Sequence, residues 1–402
     1  MSRIIPIVAA TTSAAAAVPS GLPAPPPLSL YVHLPWCVRK CPYCDFNSHE
    51  AKGGIPEDAY VAALIADLES ALPQIWNRPV YSVFFGGGTP SLLSAKAVDT
   101  LLAAFRARLP LLPDAEITLE ANPGTVEAAK FAGFRAAGVN RVSLGIQSFD
   151  DAKLAALGRI HSADEARRAI ELALTHFGQV NLDLMYALPQ QTLAEARRDL
   201  ETATAFGTPH LSAYHLTLEP NTPFAHSPPS LPDDDLAADM QEMVEETLAG
   251  AGYEHYETSA YARPGSRCAH NLNYWTFGDY LGIGAGAHGK ISSAFGIVRE
   301  MRRKHPRDYL DGAGRGDFVQ ERREVRADEL PFEFMMNALR LCDGFDTRLY
   351  TERTGLPLAA LAAPLRQARD EGLLDLDAAR MAPTIRGRRF LNALLRTFLP
   401  DA

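Results

Sequence analysis

The chain has 402 residues, a formal net charge of -9 at pH 7 and 47% hydrophobic residues, a composition typical of a well-packed globular protein. A chain of this length is expected to form two domains. Its acidic balance argues against non-specific binding to nucleic acid or anionic lipid. No stretch reaches the roughly 18 uninterrupted apolar residues that a membrane-spanning helix needs. We therefore expect neither a nucleic-acid partner nor a transmembrane segment.

The first segment, residues 1–27, is rich in alanine and proline. Its apolar start resembles a weak signal peptide, but Pro6 and the run Thr11–Ser13 interrupt the apolar patch. We interpret this segment as a disordered extension rather than an export signal. The five cysteines are an odd number and are clustered, which fits metal ligation in a reducing compartment better than a disulfide framework. These observations predict a cytoplasmic protein.

From residue 28 onward, short runs of β-branched and apolar residues alternate with segments of helical periodicity. The runs that predict strands are SLYVHL, YSVFFG, EITLEA, RVSLGI, QVNLDLMYAL and HLSAYHL. Segments such as PEDAYVAALIADLESAL, TVEAAKFAGFRAAG and SADEARRAIELALTHF lie between them and are long enough for crossover helices. The pattern predicts an α/β fold over residues 28–255, a partial barrel of six βα units that is similar to a TIM barrel.

Polar residues and glycines follow the predicted strands at their carboxyl ends. They are Gly86 to Thr89, Glu120, Asn122, Gln147, Asp183, His215 and Thr217. In a βα barrel, the loops at this end of the strands build the active site. One such residue could simply cap the next helix, but a series over five consecutive strands predicts a mouth that is lined for a cofactor.

The pattern changes near residue 255. A glycine-rich stretch, LGIGAGAHG, is followed by a charged segment at residues 321–330 that we interpret as a linker. Beyond it, PFEFMMNALRL and PLAALAAPLRQARDEGLL have helical periodicity, and LDLDAARMAPTIRGRRF resembles a hairpin before a last helix. These elements predict an α-rich, winged-helix-like domain over residues 256–402. We favour a packing or substrate-covering role for it, because the single short basic run, RGRR, is a weak signal for DNA binding.

Three cysteines lie in one short loop directly after the first predicted strand. Cys37, Cys41 and Cys44 have the spacing C-x3-C-x2-C. A structural zinc site normally uses four ligands, often two separated C-x2-C pairs, and the other two cysteines of this chain are isolated. Three thiolates on one tight loop instead suit a [4Fe–4S] cluster in which one iron has no protein ligand. The loop predicts such a cluster, with a structural zinc ion as the alternative.

This cysteine loop resembles that of the radical SAM enzymes, in which S-adenosylmethionine chelates the open iron. The resemblance implies a [4Fe–4S] cluster, S-adenosylmethionine and an electron donor that reduces the cluster. It also implies that GGGTP is the glycine-rich loop that the methionine part approaches. Tyr43 would lie near the adenine, Arg159 near the carboxylate, and Glu120 and Asp183 near the hydroxyls and amine, although each charged residue could also be an ordinary ion-pair partner. The complete implied set is Tyr31, Tyr43, Gly87, Gly88, Thr89, Glu120, Gln147, Arg159 and Asp183.

Longer stretches resemble the family of oxygen-independent coproporphyrinogen III oxidase and its HemW-type paralogues. They are YVHLPWCVRKCPYCDFNSH, FGGGTPSLL, SLGIQSFDDAKLAALGRIHS, NLDLMYALPQQT and HNLNYW, and the similarity spans residues 28–400. The oxidases carry a fourth cysteine two residues after the third, where this chain has Phe46. HNLNYW matches the H-N-x-x-Y-W motif of the HemW-type proteins. This match implies that the haem is contacted by His270, Asn271, Tyr274 and Trp275. His270 is the candidate axial ligand.

Two functions follow from this resemblance. The first is a haem chaperone that binds haem and passes it to haem-requiring acceptor proteins, including acceptors at a membrane surface. The second is an enzyme that oxidatively decarboxylates coproporphyrinogen III. Phe46 and the motif at His270 favour the chaperone. A radical SAM methyltransferase would usually need a further cysteine pair or an added domain, and the sequence shows neither.

Overall fold

The computed structural model describes residues 22–125, 128–377 and 379–399. Of the predicted extension, residues 1–21 lie outside the described residues, and residues 22–27 are irregular chain that leads into the first strand. Among the helices of the described ranges, none has the length and apolar character that crossing a bilayer requires.

The first part of the chain alternates strands with helices. Its strands are β1 (Leu28–Leu34), β2 (Trp36–Cys37), β3 (His49–Glu50), β4 (Val80–Gly87), β5 (Leu111–Ala121), β6 (Arg141–Gln147), β7 (Gln179–Tyr186) and β8 (His210–His215). Its helices are α1 (Glu57–Ala71), α2 (Ala95–Arg108), α3 (Ala128–Ala137), α4 (Asp151–Ala156), α5 (Ala163–His176), α6 (Leu193–Ala205), α7 (Pro223–His226) and α8 (Asp234–Gly250).

The second part begins with further strands and ends with helices. Its strands are β9 (Glu254–Glu257), β10 (Ala260–Ala262), β11 (Asp279–Ile283), β12 (His288–Ser293), β13 (Gly296–Arg302), β14 (Val319–Glu324), β15 (Phe345–Asp346), β16 (Leu374–Leu376) and β17 (Arg380–Pro383). Its helices are α9 (Ala269–Trp275), α10 (Pro306–Ala313), α11 (Leu330–Ala338), α12 (Arg348–Thr354), α13 (Ala362–Asp370), α14 (Ile385–Arg389) and α15 (Leu391–Arg396).

The predicted parallel strands form the centre of one sheet, in the order β1-β4-β5-β6-β7-β8. Neighbours pair in parallel, for example Tyr31 with Phe84 and Asp183 with Ser212. β1 is buried along almost its whole length because helices cover one face of a parallel sheet and the barrel interior the other. Capping boxes begin α5 and α6, where a serine or threonine and a glutamate satisfy the first backbone N–H groups. The partial βα barrel predicted from the sequence is confirmed.

The sheet continues beyond the six predicted strands. β11 pairs in parallel with β1, β12 to β14 add antiparallel strands at that edge, and β10 and β9 extend the other edge. The glycine-rich stretch therefore begins inside a strand. The interpretation of residues 321–330 as a linker was wrong in part, since β14 occupies residues 319–324. β14 is exposed throughout and mostly charged, and such charges protect a sheet edge from pairing with other chains. For the same reason, the sequence of β14 has no apolar pattern that would predict a strand. The domain boundary near residue 255 stays a prediction, and the sheet itself runs across it.

The last part of the chain has its own apolar core. Phe334, Leu365, Met381 and Leu394 belong to a cluster that is separate from the barrel core. Helices α11 to α15 surround a small antiparallel sheet with the order β15-β17-β16. This part contains the helices and the hairpin that the sequence predicts, although part of the second predicted helix is a 3₁₀ turn, Leu358–Leu361.

A buried ionic network fixes β13 and the glycine-rich turn against α1. The Asp67 carboxylate on α1 accepts hydrogen bonds from Arg302 Nε at 2.8 Å, Tyr309 Oη at 2.9 Å and the Gly284 amide at 3.1 Å. Arg302 also pairs with Glu300 at 2.8 Å. Because these groups are almost fully buried, each needs its partners.

We expect Arg302→Met to lower the free energy of unfolding by about 3–5 kcal/mol, because it leaves Asp67 buried without its cation. Urea unfolding followed by circular dichroism measures this change. Arg167→Met is the matched control: its ion pair with Asp164 is largely exposed, so its loss should cost less than about 1 kcal/mol. Equal effects of the two substitutions would contradict a role of the buried network in stability.

Candidate functional site

The three-cysteine loop lies at the mouth of the barrel. Cys37 ends β2, and Cys41 and Cys44 follow in the loop, which the parallel pairing of β2 with β3 closes at its base. The Cys44 amide donates to the Cys41 carbonyl at 3.2 Å and forms a tight turn. All three thiols are free and partly exposed. Burial raises the pKa of Cys37 and of Cys44, so a bound cation would be needed to hold both as thiolates at neutral pH.

The spacing of these thiols fits a cluster better than a single ion. Within the described ranges, no set of three or more His, Cys, Asp or Glu side chains converges closely enough to hold one metal ion. In a [4Fe–4S] cluster each cysteine binds a different iron, so the sulfurs stand further apart than the ligands of one tetrahedral zinc. Three free thiols on one loop suit the cluster that the sequence predicts, and the zinc ion stays the alternative.

Arg159 connects the cysteine loop to the strand ends. Its Nη1 lies 3.6 Å from Cys41 Sγ, and its Nη2 donates to Asn122 Oδ1 at 2.5 Å and to the Gly145 carbonyl at 2.8 Å. Its Nε is buried and has no partner among the described residues. A buried, unpaired donor beside the cluster loop fits an acceptor group of a bound molecule, such as the carboxylate that the sequence resemblance implies.

The glycines of the GGGTP loop are required by the packing of the chain itself. Gly87 has a φ of +112°, and a Cβ there would lie 2.6 Å from the His33 ring. A Cβ on Gly88 would clash with the Trp36 carbonyl, and the Gly88 amide donates to Leu34 at 2.6 Å. The expectation that missing side chains let a cofactor approach stays a prediction. The structure adds a second reason for glycine, the close approach of the loop to β1 and β2.

Members of both predicted residue groups line one cavity of about 400 Å³. This size lies within the range of small-molecule sites, about 300–1,000 Å³. Tyr31, Gly87 and Glu120 come from the set implied to bind S-adenosylmethionine, and Tyr274 and Trp275 come from the HNLNYW motif, whereas Thr89 and Arg159 line a separate, smaller pocket beside Cys41. The lining residues are Tyr31, His33, Phe46, Asn47, Gly87, Glu120, Tyr274, Trp275, Tyr280, Gly286, His288 and Asn337.

Two carboxyl groups lie close together at the barrel mouth. Glu120 accepts a hydrogen bond from the Gly87 amide at 3.2 Å, and burial together with the charge of Asp183 raises the pKa of Glu120 to about 8. Asp183 accepts from Ser143 Oγ and Asn181 Nδ2, both at 2.8 Å, and burial raises its pKa as well. Neither carboxyl forms an ion pair with a Lys, Arg or His side chain among the described residues. A cationic ligand here would therefore stabilise their charged forms.

Gln147, Thr89 and Tyr43, further residues of the set implied to bind S-adenosylmethionine, have different surroundings. Gln147 ends β6 with a φ of +67°, in a backbone region that only a constrained site holds. Thr89 accepts from Asn122 Nδ2 at 2.8 Å. The Tyr43 ring packs 6.4 Å from Phe224 of α7, outside the residues that line the large cavity. Asn122, one of the strand-end residues predicted to line the mouth, links Thr89 to Arg159, although the set implied to bind S-adenosylmethionine does not include it.

His270 is placed differently from the expectation. Its Nδ1 bonds with Ser82 Oγ at 2.9 Å, its Nε2 bonds with Tyr274 Oη at 3.0 Å, and its ring stacks on Phe84 with centroids 4.9 Å apart. Burial lowers its pKa to about 3. Both ring nitrogens are thus hydrogen-bonded to side-chain hydroxyls, and His270 and Asn271 are outside the cavity lining. Haem contact by the motif, and axial ligation by His270, stay predictions.

Tyr274 and Trp275 are the motif residues that reach the cavity. The Arg340 guanidinium lies 4.3 Å above the Trp275 ring, and Trp275 Nε1 is buried with no partner in the described part of the chain. Sequence reasoning missed His33 and His288 as cavity residues. The signal for His33 was its spacing of two from Tyr31, which puts both on one face of β1.

The barrel, the three-cysteine loop after β1 and the glycine loop after β4 together define a radical SAM protein. The family model of the radical SAM superfamily matches residues 31–203, and that of the HemN C-terminal domain matches residues 325–390. A protein of Escherichia coli named heme chaperone HemW is 51% identical over 378 residues, which cover 94% of this chain and 99% of that protein. The protein of the same name from Haemophilus influenzae is 48% identical over 94% of this chain and 100% of its own length. The chain belongs to the HemW family.

A solved structure shares the fold over almost the whole chain. The coproporphyrinogen III oxidase HemN of Escherichia coli, described as a radical SAM enzyme, matches with a TM-score of 0.80 and 24% identity. The match covers 93% of this chain and 90% of the oxidase. At this level of identity, the similarity concerns the fold alone.

We expect anaerobically prepared protein to contain about four irons and four sulfides per chain. This iron and sulfide should be lost in each of the variants Cys37→Ala, Cys41→Ala and Cys44→Ala. Cys268→Ala and Cys342→Ala are matched controls and should retain the iron, because neither cysteine belongs to the loop. Iron and sulfide analysis of the five variants measures the outcome. Stoichiometric zinc in place of iron would contradict the cluster.

Glu120 should make stability depend on pH. Its raised pKa means that the unfolded chain binds fewer protons than the folded one between about pH 4.5 and pH 8, so stability falls as the pH rises through this range. Between about pH 6 and about pH 8.5, the free energy of unfolding should fall by about 2 kcal/mol less in Glu120→Gln than in the wild type. Urea unfolding at both pH values measures it.

Glu165→Gln is the control for this pH dependence. The Ser162 amide lowers the pKa of Glu165, so its charge is the same in both states throughout this range. An unchanged pH dependence in Glu120→Gln would contradict the assignment.

Proposed function

We propose that this chain is a haem chaperone, which binds haem in the cavity and transfers it to haem-requiring acceptor proteins. One observation supports this function most directly. The aromatic residues Tyr274, Trp275 and Phe46 line the same cavity as Gly87 and Glu120 of the set implied to bind S-adenosylmethionine. The relative in Escherichia coli that carries the name heme chaperone is similar over nearly its full length.

The proposed scaffold holds a [4Fe–4S] cluster through Cys37, Cys41 and Cys44, with S-adenosylmethionine at the open iron. When bound, this pair would supply one-electron chemistry, given an external electron donor. Arg159 would orient the carboxylate of S-adenosylmethionine with its unpaired Nε, and its Nη1 keeps the cysteine loop in place. Glu120 and Asp183 would accept from the amine and hydroxyls, which suits two buried carboxyls that lie close together.

The haem part of the site is aromatic. Tyr274 packs against Tyr280 with ring centroids 4.5 Å apart, and Trp275 lies beside them in the cavity wall. Phe46 is 59% exposed, a large apolar surface that a macrocycle would cover. At this position the oxidases carry a cysteine, so this chain offers apolar contact where they offer a thiol. That difference favours holding a haem over acting on a porphyrinogen.

We place the protein in the cytoplasm, in contact with haem acceptors that include proteins at a membrane surface. The free state of all five cysteines supports a reducing compartment. The alternative function is oxygen-independent coproporphyrinogen III oxidation, which the shared fold with HemN leaves open.

A two-part assay on anaerobically reconstituted protein tests the proposal. Haemin is titrated and followed by absorbance, and the loss of coproporphyrinogen III is measured in parallel. We expect stoichiometric haemin binding without consumption of coproporphyrinogen III, and transfer of the haem to an apo-haem protein. Turnover of coproporphyrinogen III by the wild type would establish the oxidase instead.

Trp275→Ala should weaken haemin binding about tenfold, because it removes an aromatic wall of the cavity worth about 1–2 kcal/mol. Trp76→Ala is the matched control: Trp76 is 79% exposed and lies outside the cavity lining, so its loss should leave binding unchanged. Equal affinities in the two variants would contradict binding at this cavity.

A further inference from the structure

A chain of hydrogen bonds runs through the barrel interior from Asp183, one of the residues implied to bind S-adenosylmethionine. Asn181, two residues earlier on the same face of β7, donates from Nδ2 to Asp183 Oδ1 at 2.8 Å. Asn181 Oδ1 lies 2.6 Å from His210 Nδ1, and His210 Nε2 lies 2.8 Å from Tyr256 Oη. Tyr256 Oη in turn accepts from the Cys268 amide at 3.3 Å. The chain therefore joins a residue of the cofactor set to the residue that directly precedes α9.

The first turn of α9, the helix that carries the HNLNYW motif, is held by side chains from two strands. The Cys268 side chain does not cap this helix. Instead, Glu116 on β5 accepts from the first two amides of α9 at 3.1 and 3.0 Å, and Tyr256 on β9 accepts from the Cys268 amide. The first N–H groups of a helix have no partner inside the helix, so these contacts fix its start. Tyr274 and Trp275, at the other end of α9, line the cavity.

The hydrogen bonds of the chain have one direction when Asp183 is ionised. A carboxylate only accepts, so the Asn181 amide turns Nδ2 to Asp183 and Oδ1 to His210. His210 Nδ1 therefore donates, and its Nε2 accepts from the Tyr256 hydroxyl. Asn181, His210 and Tyr256 are buried, so water does not replace a lost partner. The charge at Asp183 thus orients every polar group as far as α9.

A proton on Asp183 weakens the chain at its first bond. Both carboxyl oxygens already accept, Oδ1 from Asn181 Nδ2 and Oδ2 from Ser143 Oγ, each at 2.8 Å. A neutral carboxyl must place its own hydrogen against one of these two donors, and it loses the charge that makes such bonds about twice as strong. Burial favours this neutral form, since it raises the pKa of Asp183. A cationic ligand favours the ionised form and the intact chain.

We propose that this chain couples the cofactor site to the haem motif, so that S-adenosylmethionine bound at Asp183 fixes the start of α9. The inference rests on the proposed cofactor and haem sites and adds regulation of the second site by the first. His210 and Tyr256 are positioning residues here, because they act on α9 through hydrogen bonds. A helix that the first ligand has already fixed costs the second ligand less to order, which makes the coupling positive.

The first test uses the full chain with its cluster in place and S-adenosylmethionine as the probe, without haem. Hydrogen–deuterium exchange at residues 268–270 is measured by mass spectrometry with and without saturating S-adenosylmethionine. We expect the cofactor to slow this exchange about tenfold in the wild type, because the amides gain firmer partners. In Tyr256→Phe, which removes only the hydroxyl between His210 and Cys268, the slowing should fall below about twofold.

Tyr253→Phe is the matched control. Tyr253 is also buried, and its hydroxyl donates to the Thr208 carbonyl at 2.6 Å, outside the chain. This variant should respond like the wild type. His210→Phe interrupts the chain one residue earlier and should behave like Tyr256→Phe. Circular dichroism confirms the fold of each variant, and equilibrium dialysis with labelled S-adenosylmethionine should give affinities within about threefold of one another.

Haemin titrations extend the test to the haem motif. Saturating S-adenosylmethionine should raise the haemin affinity about fivefold in the wild type and in Tyr253→Phe, and by less than about twofold in Tyr256→Phe. Because a coupling between two sites is reciprocal, haemin should raise the affinity for S-adenosylmethionine by the same factor in each protein.

The outcomes separate the coupling from the function on which it rests. No haemin binding by the wild type would overturn the haem function, while the exchange data would still decide whether the chain reaches α9. Exchange that the cofactor leaves unchanged in the wild type, or slows equally in Tyr256→Phe, would overturn the chain. A haemin affinity that does not respond to the cofactor in the wild type would overturn the coupling alone. Failure of the wild type to bind S-adenosylmethionine would overturn both the cofactor site and this inference.

Discussion

The cavity depends on one side chain, the amide of Asn47. Its Nδ2 donates to two carbonyls, those of Ala285 and Lys304, and the backbone carbonyl of Asn47 accepts a hydrogen bond from His33 Nε2 at 2.9 Å. These contacts join the cysteine loop, the first strand and the far edge of the sheet at one point. The segments that they join are more than 200 residues apart in the sequence, and they add side-chain contacts to the parallel pairing of β1 with β11.

This constraint explains why so many glycines surround the site. Gly87 and Gly88 let the end of β4 pack against His33 and Trp36. Gly286 leaves room for the Asn47 side chain itself. Each is a place where a Cβ would collide with the protein rather than with a ligand. The sequence resemblance assigned the first two to cofactor approach. Close packing and cofactor binding are compatible, since a loop held this tightly against β1 presents its backbone in one conformation.

The sequence predicted the barrel well because its signal is local. Apolar runs such as SLYVHL and RVSLGI are buried on both faces, and such runs identify parallel strands without reference to the rest of the chain. β14 was missed because its side chains are exposed and mostly charged. Glu120 and Gln147 could be predicted for the same local reason. Each follows a recognisable strand, and the carboxyl ends of parallel strands meet at one edge of the sheet.

The availability of a histidine is not a local property. The HNLNYW motif draws attention to His270, but Ser82, Phe84 and Tyr274 enclose its ring, and only the fold reveals these partners. His288 carries no motif that sequence reasoning used, and it reaches the cavity because the sheet continues past the predicted boundary into β11 and β12. A motif can therefore identify a region of the site, whereas burial and hydrogen bonding, which only the fold reveals, decide the surroundings of each ring nitrogen.

The comparison with HemN shows where function must be sought in this fold. The two chains share their architecture at a TM-score of 0.80, so neither the barrel nor the last domain distinguishes a chaperone from an oxidase. The difference must lie in what lines the cavity. Phe46 lines the cavity at the position where the sequence resemblance implies a cysteine in the oxidases, and Tyr274 and Trp275 line the same cavity. Apolar contact with a macrocycle stabilises its ground state and its transition state alike, and such uniform binding does not accelerate a reaction. A cavity with more apolar contact and without that thiol is therefore better suited to retain a macrocycle than to transform one.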